Sequence, residues 1–207
     1  MEKYFRWFGL PGAVVLTSLL SAFALCRAAA APTPVRFVCF AAMALSSVGD
    51  IFLAHLKSLN ARFQNCFLIG AVFFMAAHLL YVLTYGMKLF HTAGALLWNT
   101  GTAIALLIGL TAFCLMLTLS IKSRRTKNLP LIAVYLFIIL LNCSAVFTYA
   151  FAQGFSSLSA VCAATGVLSF LLSDLVIGLN LAGNIHRFDF LIWWLYPIGQ
   201  VLLILGA

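Results

Sequence analysis

Seven apolar stretches, each long enough to cross roughly 30 Å of hydrocarbon, run through a chain of 207 residues. They are Leu10–Cys26, Val35–Leu56, Phe63–Tyr85, Ala93–Ser120, Leu129–Phe151, Ser157–Ala182 and Phe188–Gly206. Each is continuously apolar, which excludes the alternating wall of a β-barrel. The gaps between them hold no soluble domain. Only 8% of the residues are charged and 65% are hydrophobic, whereas soluble domains carry about 25% charged residues to face water. The expected fold is therefore all-α: a polytopic transmembrane helix bundle of seven spans, with residues 1–207 forming a single integral membrane domain.

Two spans need separate treatment. The fourth contains Asn99, Thr100, Gly101 and Gly109, polar and small residues that suggest a tilted or broken helix. The first has Lys3 and Arg6 before it and small residues after it, as a signal peptide would. Its apolar core is longer than the usual 7–15 residues and Arg27 interrupts the small-residue end, so it is expected to stay as a helix.

Topology follows from the basic residues. Lys3, Arg6, Lys57, Arg62, Lys122, Arg124, Arg125, Lys127 and Arg187 fall on one side, and Arg27, Arg36 and Lys88 on the other. By the positive-inside rule the N-terminus is cytoplasmic and the C-terminus outside, as in a multi-pass protein of the cell membrane. Reporter fusions after Asn128 and after Ala207 are expected to report opposite sides. Finding both on one side would overturn the seven-span count.

The excess of 12 basic over 4 acidic residues is dispersed in short loops and forms no patch, so no nucleic-acid partner is expected. The six cysteines include no CxxC and read as small packing residues. HExxH, GxSxG, the P-loop and a GxGxxG before a helix are all missing. The four histidines are scattered over different depths, with His55, His91 and His186 at span ends or in loops, so neither a metal site nor a cofactor is expected.

Acidic residues are few enough to weigh singly. Glu2 is terminal, and Asp189 lies beside Arg187 in the last basic loop, where both read as interfacial charges. Asp50 and Asp174 lie inside spans two and six. A carboxylate there costs at least about 2.5–3.5 kcal/mol on insertion scales and usually marks function, the bland alternative being a hydrogen-bonded packing group. Both spans run in the same direction, and the two residues are roughly 9 and 12 Å from the cytoplasmic boundary. Ser46, Ser47 and Gly49 accompany the first, and Gly166, Ser169, Ser173 and Gly178 the second. Small residues allow close helix approach, and serines can hydrogen-bond a carboxyl. Span three adds His78, Tyr81 and Tyr85 at helical spacing, span seven Tyr196 and Gln200, while Asn142 and Asn180 suit packing or function equally.

Val48-Gly49-Asp50 on span two, Ala77-His78-Leu79-Leu80-Tyr81 on span three, Leu172-Ser173-Asp174 with Asn180 on span six, and Tyr196 with Gln200 on span seven resemble the YhhN family of membrane proteins. That family includes the animal lysoplasmalogenases. The resemblance covers roughly Val35 to Leu205 with the motifs in order. Many members are described with eight spans, one more than here. Their last motif reads close to Tyr-x-Ala-Gln, where this chain has Tyr196-Pro197-Ile198-Gly199-Gln200. Pro197 removes a backbone donor and is expected to bend the helix.

The resemblance implies hydrolysis of the vinyl ether of a lysoplasmalogen, a single-chain lysophospholipid substrate taken from the bilayer. Asp50 and Asp174 would be catalytic, and His78, Tyr81, Asn180, Tyr196 and Gln200 would bind substrate. Protonating an enol ether gives an oxocarbenium ion that water captures, and two carboxyls, one protonated and one ionised, suit such an ion. The apolar flank of Leu171, Leu172 and Leu175 favours Asp174 as the acid over Asp50. Arg62, Lys57 or the basic run from Lys122 to Lys127 is positioned to meet the phosphate, beyond its part in topology. The competing classes are an ion-coupled carrier with the aspartates as proton or sodium sites, and a non-catalytic membrane protein that needs neither.

Overall fold

The computed structural model describes residues 10–53, 62–63, 65–93, 100–124, 127 and 129–207. Among the described residues there are seven helices and no strand. They are α1 (Leu10–Ala30), α2 (Pro34–Leu53), α3 (Cys66–Ala93), α4 (Thr100–Lys122), α5 (Leu129–Ala152), α6 (Leu158–Gly183) and α7 (Asp189–Gly206). The helices α2, α3, α5, α6 and α7 are long and apolar enough to span a membrane, and α1 and α4 carry shorter apolar segments, Val14–Ala30 and Leu106–Lys122. Polarity is distributed inside out. Val15, Leu19, Leu107, Leu110, Val134 and Phe137 are exposed, while Asp50, His78, Asn142, Asp174 and Gln200 are buried. Only a lipid solvent rewards that arrangement. This is a multi-pass helical membrane protein.

The ends of the helices follow local chemistry. Pro34 opens α2, where its missing donor costs nothing, and the Thr33 hydroxyl accepts the Arg36 N–H at 3.3 Å. Ser157 caps α6 by accepting the Ala160 N–H at 3.1 Å. Asn184 ends α6 in the left-handed region at φ 57°, which asparagine tolerates better than most residues. The first helix runs on through Arg27 to Ala30, with Ala28 fully buried, because a cation suits the carbonyl end of a helix. The third extends eight residues past Tyr85. Lys88 is carried inward there, donating to Ser159 Oγ at 2.7 Å and to the Gly206 carbonyl.

The fourth helix is unbroken from Thr100 to Lys122. Gly109 instead makes room for the Leu140 side chain of α5. The seventh helix is likewise continuous through Pro197. Glu2, Lys3, Arg6, His55, Lys57, Asn99 and Arg125 lie outside the described residues.

The chain divides into two compact units, Met1–Tyr81 and Val82–Ala207. In the first, Ser47 Oγ ties α2 to α1, donating to the Thr17 carbonyl at 2.8 Å with Ser21 Oγ at 2.7 Å. Gly49 brings α2 against α3: a Cβ there would lie 2.9 Å from the Phe74 ring and 3.2 Å from the Gly70 carbonyl. Phe52 stacks on Phe73 at 5.7 Å. In the second unit, α4, α5 and α6 share a core of Ala112, Met116, Ile132, Leu136 and Ala182. The backbones of α6 and α7 approach closely, where a Cβ on Gly199 would lie 3.0 Å from both the Gly166 carbonyl and the Phe170 nitrogen.

Candidate functional site

Asp50 is buried at the end of a stripe that repeats every three to four residues along α2, comprising Met43, Ser46, Ser47 and Asp50. Its partner is the first half of α3. Tyr81 Oη reaches Met43 Sδ at 4.0 Å, and one to two turns along the pair Gly49 abuts Phe74. His78 lies on α3 between Phe74 and Tyr81. His78 and Tyr81 are both fully enclosed. Ser46 Oγ, one helical turn from Asp50, is buried with no hydrogen-bond partner among the described residues. In the first unit Asp50 is buried on α2, and His78 and Tyr81 are enclosed on α3.

Asp174 is similarly buried, on α6. Phe170 lies one turn before it on the same face and Gly178 one turn after, with Gly178 opposite the Met116 thioether of α4. The Tyr196 ring packs edge-on against Phe170 at 5.4 Å, and Gln200, one turn on, is fully buried. The Gly166·Gly199 crossing sets both, because it fixes the register of α7 on α6. Ser173 Oγ, beside the aspartate, is buried with no hydrogen-bond partner among the described residues.

One neighbour of Asp174 escapes a reading of the sequence. Tyr135 of α5 brings its hydroxyl to 3.5 Å from Asp174 Oδ2. Leu171 is buried beside the carboxyl but Leu172 is 48% exposed, so the apolar flank is only partly in place.

Asn180 lies elsewhere on α6. Its amide nitrogen donates to Asp189 Oδ1 at 2.8 Å. Asp189 Oδ2 stands 3.2 Å from His186 Nδ1, and His186 Nε2 lies 3.3 Å from Asn184 Oδ1. Asp189 is therefore more than an interfacial charge. It fastens the α6–α7 turn and occupies the first turn of α7, where an acid favours the helix dipole. The carbonyl oxygen of Asn180 is buried without a partner among the described residues. Among the described residues no three histidine, cysteine, aspartate or glutamate side chains gather as a metal site would need.

A family model describing the YhhN family matches residues 12–207. The chain belongs to the YhhN family. No curated protein and no solved structure matches it. The YhhN match takes in both aspartates, the α3 pair His78 and Tyr81, and the α7 pair Tyr196 and Gln200, along with the helix crossings that position them.

Proposed function

We propose that this YhhN member is a membrane hydrolase that cleaves the vinyl ether bond of a lysoplasmalogen. The products are a fatty aldehyde and glycerophosphocholine or glycerophosphoethanolamine. The observation that supports this reading is the pair of intramembrane carboxyls, Asp50 and Asp174, each held about nine-tenths buried among small and polar side chains. A protonated carboxyl adds its proton to the β-carbon of the enol ether and leaves an oxocarbenium ion. The other carboxylate takes a proton from water as the water oxygen bonds to the α-carbon. The resulting hemiacetal then breaks its bond to the glycerol oxygen, which takes a proton as the aldehyde forms. In this scheme His78, Tyr81, Tyr196 and Gln200 hold the substrate, while Asn180 is engaged with Asp189 at the α6–α7 turn.

The test is the purified protein in detergent with ethanolamine and choline lysoplasmalogens. Aldehyde release matched by glycerophospho-alcohol is the expected result. No aldehyde, with movement of the lipid across liposome membranes, would favour the carrier reading. Hydrolysis is also expected to survive prolonged chelation, because the scheme draws on carboxyls alone. Loss on chelation with recovery on added zinc would replace the two-carboxyl scheme with a metal-assisted one.

A further inference from the structure

Tyr135 is absent from the motifs that carry the family resemblance, yet α5 brings its hydroxyl to the Asp174 carboxyl. Its neighbours in sequence explain why it is held there. Ile132 and Leu136, on either side of it, both belong to the core shared by α4, α5 and α6, so the stretch of α5 that carries the ring is clamped. Gly178 keeps α6 close to α4 by meeting Met116 without a side chain of its own. The two anchors bring the Tyr135 hydroxyl to 3.5 Å from Asp174 Oδ2. That is the outer limit of a hydrogen bond, and catalytic contacts of this kind are often long until substrate closes the site. The exposures of the partners differ. Asp174 is buried, whereas Tyr135 is half-buried.

We propose that Tyr135 is the positioning residue of Asp174. It orients the carboxyl by donating to Oδ2. A tyrosyl hydroxyl suits this place because its rigid ring spans the distance from α5 with only two rotatable bonds to fix. It also offers a donor that leucine or phenylalanine would not. This inference rests on the hydrolase reading for its kinetic consequences, and on the geometry alone for the hydrogen bond itself.

Tyr135→Phe tests it, since the ring and its packing remain and only the hydroxyl leaves. In the purified protein the expected result is a fall in kcat of about 10–100-fold, the worth of one hydrogen bond to a charged group. KM should stay within about twofold. The pH–rate profile should also change, because the lost donor touches a carboxyl that the reaction titrates. Two other titratable groups on the packed helices, Cys143 of α5 and Tyr196 of α7, are unchanged by the substitution. In parallel, infrared titration follows the carboxyl C=O stretch, with Asp174→Asn identifying the band. That band should shift in Tyr135→Phe whether or not lysoplasmalogen is the substrate. A band that shifts in a protein inactive on lysoplasmalogen would uphold the Tyr135–Asp174 contact while the hydrolase reading fails. Wild-type kinetics in Tyr135→Phe, or an unmoved carboxyl band, would overturn the proposal.

Discussion

Asp50→Asn and Asp174→Asn are each expected to abolish vinyl ether hydrolysis, a loss of at least about 10²–10⁴-fold, in protein that still inserts and stays monodisperse in detergent. Asparagine keeps the size of the side chain and much of its hydrogen bonding, so what leaves is the titrating proton. Both carboxyls are buried, and neither packing environment changes much with the substitution. If the two act on one oxocarbenium ion, their effects cannot add, because losing either already disables the unit. The double variant is therefore expected to be hardly slower than either single one. Substitutions at His78, Tyr81, Tyr196 and Gln200 should cost less and appear partly as weaker substrate binding. Near-normal turnover in either folded aspartate variant would end the two-carboxyl idea, leaving Asp50 and Asp174 as packing groups or as the ion sites of a carrier.

Much of the architecture was readable because lipid imposes a simple rule: unbroken apolar runs become helices. The runs from Leu129 and from Ser157 match α5 and α6 to within a residue at each end. The misjudged end of α3 comes from a polar residue that other elements take up. The basic side chain of Lys88 looks like the start of a loop, yet Ser159 and the end of α7 accept it, so α3 runs on. Glycines misled for a related reason. Gly101 and Gly109 suggest a tilted or broken helix; the helix is unbroken from Thr100 to Lys122, and Gly109 makes space for Leu140. The site was partly readable. Rare groups such as Asp50, His78 and Asp174 announce themselves by the cost of burying them. Tyr135 does not, because a tyrosine in a membrane span is usually an interfacial anchor. Nothing along α5 says which way it faces, since the clue lies in Asp174 of another helix. The same is true of Asp189, whose bond to Asn180 closes a turn that the sequence shows only as a basic loop.

The backbone crossing of α6 and α7 carries the second large expectation. Gly199→Ala should destabilise the detergent-solubilised protein by about 1–3 kcal/mol, the usual cost of forcing extra volume into a packed contact. The added methyl would lie 3.0 Å from the Gly166 carbonyl and 3.0 Å from the Phe170 nitrogen, and neither is a side chain that can swing aside. Gly178→Ala is the matched control on α6 where it faces α4. Its methyl would meet the Met116 sulfur at 3.0 Å, the flexible part of an adaptable side chain. There the gain of up to about 1 kcal/mol from replacing a mid-helix glycine can offset the crowding. Thermal unfolding should therefore separate the two, with Gly199→Ala melting well below the wild type and Gly178→Ala close to it. The consequence for the site follows from Pro197. Its ring removes the N–H that would bond the Trp193 carbonyl, so α7 is least supported by its own ladder just where Tyr196 and Gln200 stand. Contact with α6 supplies the missing constraint. Gly199→Ala should for that reason also lower turnover of any substrate held by Tyr196 and Gln200, even at temperatures where the protein remains folded. Equal melting temperatures for the two variants would mean that α6 and α7 do not cross through Gly166 and Gly199.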